Sequence, residues 1–69
     1  MPFSNSYRYV HKGETHLLLI LYNKDACYHF YHFVDGVLKR RINLGMNPIT
    51  AQMDYEQEVN LFREWVNND

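Results

Sequence analysis

Residues 27–44 of the chain, CYHFYHFVDGVLKRRINL, contain two runs of aromatic and β-branched side chains on either side of Asp35-Gly36. An Asp-Gly pair between such runs is typical of a two-residue hairpin, because a type I′ turn needs positive φ at both central residues. We therefore predict two antiparallel strands, over residues 27–34 and 37–44, joined by a tight turn.

Two more strands are predicted upstream of this hairpin. Residues 15–22, THLLLILY, form a continuous apolar run between polar turns, which favours a buried central strand. Residues 6–10, SYRYV, alternate polar and aromatic side chains, and Gly13 suits the turn that follows. The connections are short enough only for adjacent antiparallel pairing, so we expect the four strands to form a meander.

A single helix with two candidate starts is predicted after the sheet. Asn47 can cap a helix and Pro48 suits its first position, while Asp54 with Gln57 three residues later is a second start signal. The helix covers residues 54–67, or it begins at Pro48 and bends. Its apolar stripe comprises Tyr55, Val59, Phe62 and Val66, flanked by Leu61 and Trp65. The predicted fold class is therefore α+β, a four-stranded antiparallel β-meander with one C-terminal α-helix packed on one face.

The composition indicates one small domain over residues 1–69, with a thin core. The single cysteine excludes an internal disulfide and fits a reducing compartment. We therefore expect oligomerisation or partner binding to supplement the core. The net charge is −1, but residues 1–53 carry an excess of three positive charges and residues 54–69 an excess of four negative charges. This asymmetry can orient a charged partner.

No segment of the sequence predicts membrane insertion. The longest apolar run, residues 17–21, is too short to span a bilayer. Residues 1–5 are predicted to be a loose start, and they lack the charged beginning and apolar centre of a signal peptide. We expect a cytoplasmic protein with no membrane partner.

Strand pairing divides the predicted sheet into two faces. The turn at residues 35–36 and a four-residue loop over residues 23–26 set the register, with Tyr22 opposite Cys27. We place the helix on the face that carries Ile42, which leaves the opposite face open to solvent. The candidate partner-binding residues on this predicted open face are Arg8, Leu17, Leu19, Leu21, Tyr28, Phe30, His32, Lys39 and Arg41.

An apolar centre with charged margins is typical of a protein interface. We predict a non-enzymatic protein-binding module that acts through this face, as a homodimer or as an inhibitor or adaptor on another protein's surface. Tyr28, Phe30 and the leucine row would be its anchors, with Arg8, Lys39 and Arg41 forming a charged rim. Phage-encoded proteins that block host proteins are often of this build.

Single-stranded nucleic-acid binding is the alternative function. Tyr28, Phe30 and His32 could stack on bases while Lys39 and Arg41 contact phosphates. The order of four strands and a helix is similar in topology to the Whirly and PUR-type repeats, over nearly the whole chain but with no shared sequence motif. The resemblance implies a dimer that binds single strands across its sheet. The net charge of −1 and the leucine-rich centre favour the protein-binding hypothesis.

We predict no catalytic, cofactor or metal site. Cys27, His29 and His32 resemble a set of metal ligands, but strand alternation points His32 away from the other two. Cys27 and His29 could form a nucleophile pair, yet no neighbouring Asp or Asn is an obvious orienting group. The four histidines could make stability or binding pH-dependent, although chance enrichment is the simpler explanation.

Overall fold

The computed structural model describes residues 5–69. Four antiparallel strands form one open sheet in the order β1-β2-β3-β4, and a C-terminal helix packs on one side of it. The elements are β1 (Asn5–His11), β2 (Glu14–Tyr22), β3 (Tyr28–Val34), β4 (Val37–Gly45) and α1 (Pro48–Asn68). The predicted α+β class is therefore confirmed. The predicted loose start lies outside the described residues, apart from Asn5, which belongs to β1.

Two tight turns close the outer hairpins. The φ angles are 49° and 82° at Asp35-Gly36, and 50° and 81° at Lys12-Gly13. Positive φ at both central positions is the signature of a type I′ turn, whose twist matches that of the flanking strands. Val34 pairs with Val37 across the second turn, and β1 pairs with β2 in the predicted register. The local turn signals were therefore sufficient for both hairpins.

The loop between β2 and β3 is one residue longer than predicted. Tyr22 pairs with Tyr28 instead of with Cys27, so the connection covers residues 23–27. The amide of Asn23 donates a hydrogen bond to the carbonyl of Cys27 at 2.9 Å, which closes the loop at its base. The loop also holds Ala26 at a φ of 64°, a conformation that non-glycine residues seldom adopt.

The longer loop turns every side chain of β3 to the face opposite the predicted one, because side chains alternate along a strand. Tyr28 and Phe30 are consequently 2 % and 1 % exposed beneath α1. His32 lies on the same side, with its ring against the helix residue Phe62. The predicted placement of these three β3 residues on the open face is therefore wrong.

A β-bulge in β4 restores the predicted orientation of the end of that strand. Phe33 pairs with Leu38 and His32 pairs with Arg40, so Lys39 has no partner across the ladder. Relative to the predicted register, the extra residue in the loop inverts the faces from β3 onward. The extra residue in β4 inverts them a second time, so the two changes cancel beyond the bulge. The residues of β4 after the bulge therefore alternate between the helix side and the solvent side as predicted, whereas the side chains of β3 lie on the sides opposite to the predicted ones.

α1 begins at Pro48, the earlier of its two candidate starts. The side-chain oxygen of Asn47 accepts hydrogen bonds from the amides of Ile49 and Thr50, at 2.9 and 3.3 Å. Pro48 at the first helical position has no amide hydrogen that needs a partner. A start at Asp54 is therefore wrong, because this cap already satisfies the earlier amides.

The core lies between α1 and one face of the sheet. Its buried apolar side chains are Leu18, Ile20, Tyr28 and Phe30 from the sheet and Ala51, Tyr55 and Phe62 from the helix. The hydroxyl of Tyr55 donates a hydrogen bond to the carbonyl oxygen of Leu18 at 2.9 Å, and burial raises the pKa of this phenol. Leu61 and Trp65, at the edges of the predicted helical stripe, remain exposed.

The C-terminal end of α1 is tied to the turn between β1 and β2. The carboxylate of Asp69 lies 2.7 Å from His11 Nε2 and 2.8 Å from the ammonium of Lys12. Hydrogen bonds from Lys12 and then from His11 hold the pKa of Asp69 below its ordinary value. Within residues 5–69, no helix has the length and apolar character needed to cross a membrane.

Deletion of Lys39 tests the bulge. The pairs on either side of this residue can stay in place, so we expect the free energy of unfolding to change by less than about 1 kcal/mol. In a ladder without a bulge, the same deletion would turn the partly buried Ile42 and Leu44 to the wrong face, at a cost of part of the about 1.5–3 kcal/mol that full burial of each side chain contributes. Urea denaturation followed by circular dichroism measures the difference.

Deletion of Leu19 is the matched control, because β2 is paired there without a bulge on both sides. This deletion inverts one half of a central strand, and we expect it to abolish cooperative unfolding. A Lys39 deletion as damaging as the Leu19 deletion would contradict the bulge.

Candidate protein-binding face

The face of the sheet opposite α1, called the open face, presents its side chains in three rows across the strands. Strand pairing makes the members of each row direct neighbours. The first row is Arg8, Leu17, Phe33 and Leu38, the second is Ser6, Leu19, Tyr31 and Arg41, and the third contains Leu21, His29 and Asn43. The inner columns, on β2 and β3, are therefore mainly apolar, and the outer columns are mainly polar.

The leucine column, which comprises Leu17, Leu19 and Leu21, forms the β2 side of the centre. Leu17 and Leu19 are half-buried between the neighbouring strands, and Leu21 is 39 % exposed. The alternate residues of the same strand, Leu18 and Ile20, lie in the core beneath α1. β2 thus has the composition of a strand that is buried on both faces, although α1 covers only one of them.

The aromatic column, which comprises His29, Tyr31 and Phe33, forms the β3 side of the centre. The rings of Tyr31 and Phe33 stack with their centroids 6.2 Å apart and 19° between their planes. Beside Phe33, Leu38 is 45 % exposed on β4. The two columns together form a contiguous apolar patch, and patches of this kind mark interaction sites.

Cationic side chains lie at the margins of the open face. Arg8 on β1 and Arg41 on β4 are exposed, and they are the cross-strand neighbours of Leu17 and Tyr31 respectively. Lys39 is exposed at the bulge on the same edge as Arg41. An apolar centre within a charged margin is the usual anatomy of a protein interface.

The structure keeps some of the predicted binding residues on the open face and moves others beneath α1. Those on the open face are Arg8, Leu17, Leu19, Leu21 and Arg41, with Lys39 at its edge; their binding role stays a prediction. Tyr28, Phe30 and His32 face the helix, so they are wrong as contacts for a partner of the folded chain.

The large apolar residues of the open face that sequence reasoning missed are Tyr31, Phe33 and Leu38. The aromatic pattern of β3 could not identify the first two, because both faces of the strand carry aromatic and histidine side chains. The one usable signal was the length of the loop between β2 and β3, because a loop of five residues in place of the predicted four would have placed Tyr31 and Phe33 on the open face.

The loop between β2 and β3 makes polar contacts at one corner of the open face. Asp25 lies 2.7 Å from His29 Nε2 and accepts a hydrogen bond from the amide of Cys27 at 3.0 Å. These contacts, with that of His29 first, lower the pKa of Asp25. The hydroxyl of Tyr31 donates a hydrogen bond to the side-chain oxygen of Asn23 at 3.0 Å. The loop thus orients two rings of the aromatic column.

The expectation that His29 has no orienting carboxylate nearby is wrong, because Asp25 occupies that position. His29 is nevertheless buried, and its Nδ1 has no hydrogen-bond partner. His32 faces the other side of the sheet, as alternation predicted. In the part of the chain that the structure describes, no group of three or more His, Cys, Asp or Glu side chains could hold a metal ion.

A second group of ring side chains lies where the C-terminal half of α1 meets the sheet. This seam cluster comprises His11, His16, His32, Phe62 and Trp65. His16 Nδ1 and His32 Nε2 are 2.9 Å apart, and the ring of Phe62 lies 5.0 and 5.6 Å from the two imidazoles, centroid to centroid. Trp65 contacts His11 at 5.0 Å between centroids. Three of the four histidines therefore pack against the helix.

The position of His32 within the seam disfavours its protonation. Burial, followed by the charges of His16 and Arg40, lowers the pKa of His32. His16 Nε2 is buried without a hydrogen-bond partner, and Glu14 approaches it only to 3.9 Å. Arg40 is itself paired with Glu58 on α1 at 2.8 Å, so this helix carboxylate is already engaged. Two imidazolium rings at 2.9 Å would repel each other within the seam.

We expect the free energy of unfolding to fall as the pH drops below the ordinary histidine pKa of 6.5. In this range the unfolded chain binds a proton at His32 that the folded chain binds only at lower pH, so acid favours unfolding. The variant His32→Gln keeps an uncharged hydrogen-bonding group beside His16, so we expect its free energy of unfolding to depend less on pH than that of the wild type. Urea denaturation at a series of pH values between about 7.5 and 5 measures it.

His11→Gln is the control for this experiment, because His11 lies against the carboxylate of Asp69 and not against a second histidine. We expect the free energy of unfolding of His11→Gln to fall with decreasing pH as that of the wild type does. Equal pH slopes for the wild type and His32→Gln would contradict the role given to the seam pair.

The open face and the seam cluster are the features of this chain from which we infer a function. The chain matches no protein-family model, no curated protein and no solved structure.

Proposed function

We propose that this chain is a non-enzymatic protein-binding module whose open face covers, and is covered by, the surface of a protein partner. The observation that supports this function is the uncovered apolar patch formed by the leucine and aromatic columns. Covering such a patch contributes about 25 cal/mol for each Å² of apolar surface removed from water. The patch is therefore both a cost to the isolated chain and a source of affinity for a partner.

The positions within the face suggest different roles for its side chains. Leu19 and Tyr31 are neighbours in the middle row, where a partner would exclude water most completely. Arg8 and Arg41 lie at the two edges, where charges set the orientation of a partner and the rate of encounter more than the affinity. A module of this kind acts by occupying a surface, as an inhibitor or an adaptor does.

Single-stranded nucleic-acid binding is the second candidate, and the corrected register supplies its supporting observation. Tyr31 and Phe33 stack in parallel on the open face, and Arg41 is the direct cross-strand neighbour of Tyr31. Bases can stack on such rings while an arginine contacts phosphate. The leucine column fills the other half of the centre and offers no ring or charge to a nucleotide, so we rank this function below protein binding.

A gel-shift experiment with mixed single-stranded oligonucleotides separates the two candidates. Phosphate contacts strengthen as salt is removed, so a true nucleic-acid binder should shift the oligonucleotides most clearly at low ionic strength. The absence of a shift at low salt would eliminate the second candidate.

The substitution Leu19→Asp tests the proposed function, because it places a charge in the middle of the open face. We expect tagged wild-type chain to capture protein partners from source-cell extract, and Leu19→Asp to lose them. Ile49→Asp is the matched control, since Ile49 is 72 % exposed on α1, away from the open face, and the charge change is the same. Quantitative mass spectrometry of the captured proteins is the measurement.

Circular dichroism and urea denaturation of each variant separate loss of binding from loss of folding. Recovery of the same proteins with folded Leu19→Asp as with wild type would contradict binding through the open face. Loss of the same proteins with folded Ile49→Asp would place the contact on the helix instead.

A further inference from the structure

The partner that best fits the open face is a second copy of this chain. We propose that two copies pack with their open faces together about a twofold axis that runs between β2 and β3, parallel to the strands. This inference rests on the proposed function, because it names the partner of the same face.

The arrangement of the two inner columns makes the open face complementary to itself. The twofold axis places β2 of one copy over β3 of the other, so each leucine column packs on the aromatic column of the partner subunit. Leu19 then lies opposite Tyr31 of the partner subunit, in the same row of the face. A twofold interface requires that each contact occurs twice, and two unlike columns on either side of the axis satisfy this requirement.

The charged margins are compatible with this arrangement. The axis brings the β1 edge of one copy over the β4 edge of the other, which places Arg8 opposite Leu38 of the partner subunit. Arg41 is one row away, opposite Ser6 of the partner subunit, so the two arginines do not meet directly. An arginine at such an edge can cover apolar surface with its stem while its guanidinium stays in water.

The size of the face matches that of a stable dimer. The molecule measures 35 by 21 Å along its two longer axes, which limits the projected area of one face to at most about 700 Å² and that of two faces to at most about 1,500 Å². Specific interfaces bury about 1,200–2,000 Å² in total. A smaller partner, such as a single peptide strand, would leave much of the apolar patch uncovered.

A second copy would also increase the number of buried apolar side chains, which is small in the isolated chain. Among residues 5–69, seven apolar side chains are buried within one chain, and these lie between α1 and the sheet. Domains of this size commonly gain stability from association. Face-to-face packing would add the leucine and aromatic columns of both copies as a second apolar layer, and it would bury β2 on both sides.

Light scattering coupled to gel filtration tests the dimer. We expect wild type to show twice the chain mass of 8.4 kDa, and Leu19→Asp to show the chain mass. Ile49→Asp, which changes charge away from the face, should remain a dimer. The concentration range should extend to about 1 mM, so that even a weak dimer is populated.

Nuclear magnetic resonance on the unmodified chain tests the axis without depending on a variant. A sample that mixes isotope-labelled and unlabelled copies reports only contacts between copies. We expect contacts between methyl protons of the leucine column and ring protons of Tyr31 and Phe33 of the partner subunit. Contacts of the leucine column with itself would overturn the proposed axis.

The outcomes separate this inference from the proposed function. A wild type that stays at the chain mass at 1 mM overturns the dimer, and Leu19-dependent capture of a different protein would then leave the proposed function standing. A dimer that persists in folded Leu19→Asp overturns the open face as its interface. A wild type that neither dimerises nor captures any protein in a Leu19-dependent way overturns both.

Discussion

The ladder between β2 and β3 closes at Tyr22 and Tyr28, and this closure decides on which side of the sheet every β3 side chain lies. A connection of one residue fewer would exchange Phe30 with Tyr31 between the core and the solvent, because the side-chain repeat of a strand is two residues. With the observed closure, Phe30 is the largest fully buried side chain among residues 5–69 and packs beside Tyr55 of α1. The core and the open face are therefore two results of one register.

A single helix can cover only one face of a four-stranded sheet, and this limit links the fold to the proposed function. β2 carries Leu18 and Ile20 toward α1 and the leucine column toward the solvent, so the strand is apolar on both sides. The helix α1 covers the first of these sides. The second side stays uncovered in the single chain, and in the proposed dimer a second copy covers it.

The histidines show how tertiary structure reassigns a cluster that looks chemical in the sequence. Cys27, His29 and His32 lie within six residues, but the strand separates His29 and His32 between the two faces. His29 is held by Asp25 at a corner of the open face, while His32 joins His16 at the seam with α1. Burial lowers the pKa of His32 in the seam pair, which lies on the side of the sheet away from the proposed interface.

Local signals were enough to predict four strands, a type I′ turn at Asp35-Gly36, a turn at Gly13 and one helix, because each depends on a few neighbouring residues such as Asp35-Gly36 or Asn47-Pro48. The leucine column was also predictable, since β2 is apolar on both sides in either register. Sequence alone could not choose between the two faces of β3, which are nearly alike in composition, and it did not reveal the bulge at Lys39. The tertiary structure made that choice, because only one register lets Phe30 and Ile42 pack beneath α1 while the loop over residues 23–27 closes its hydrogen bonds.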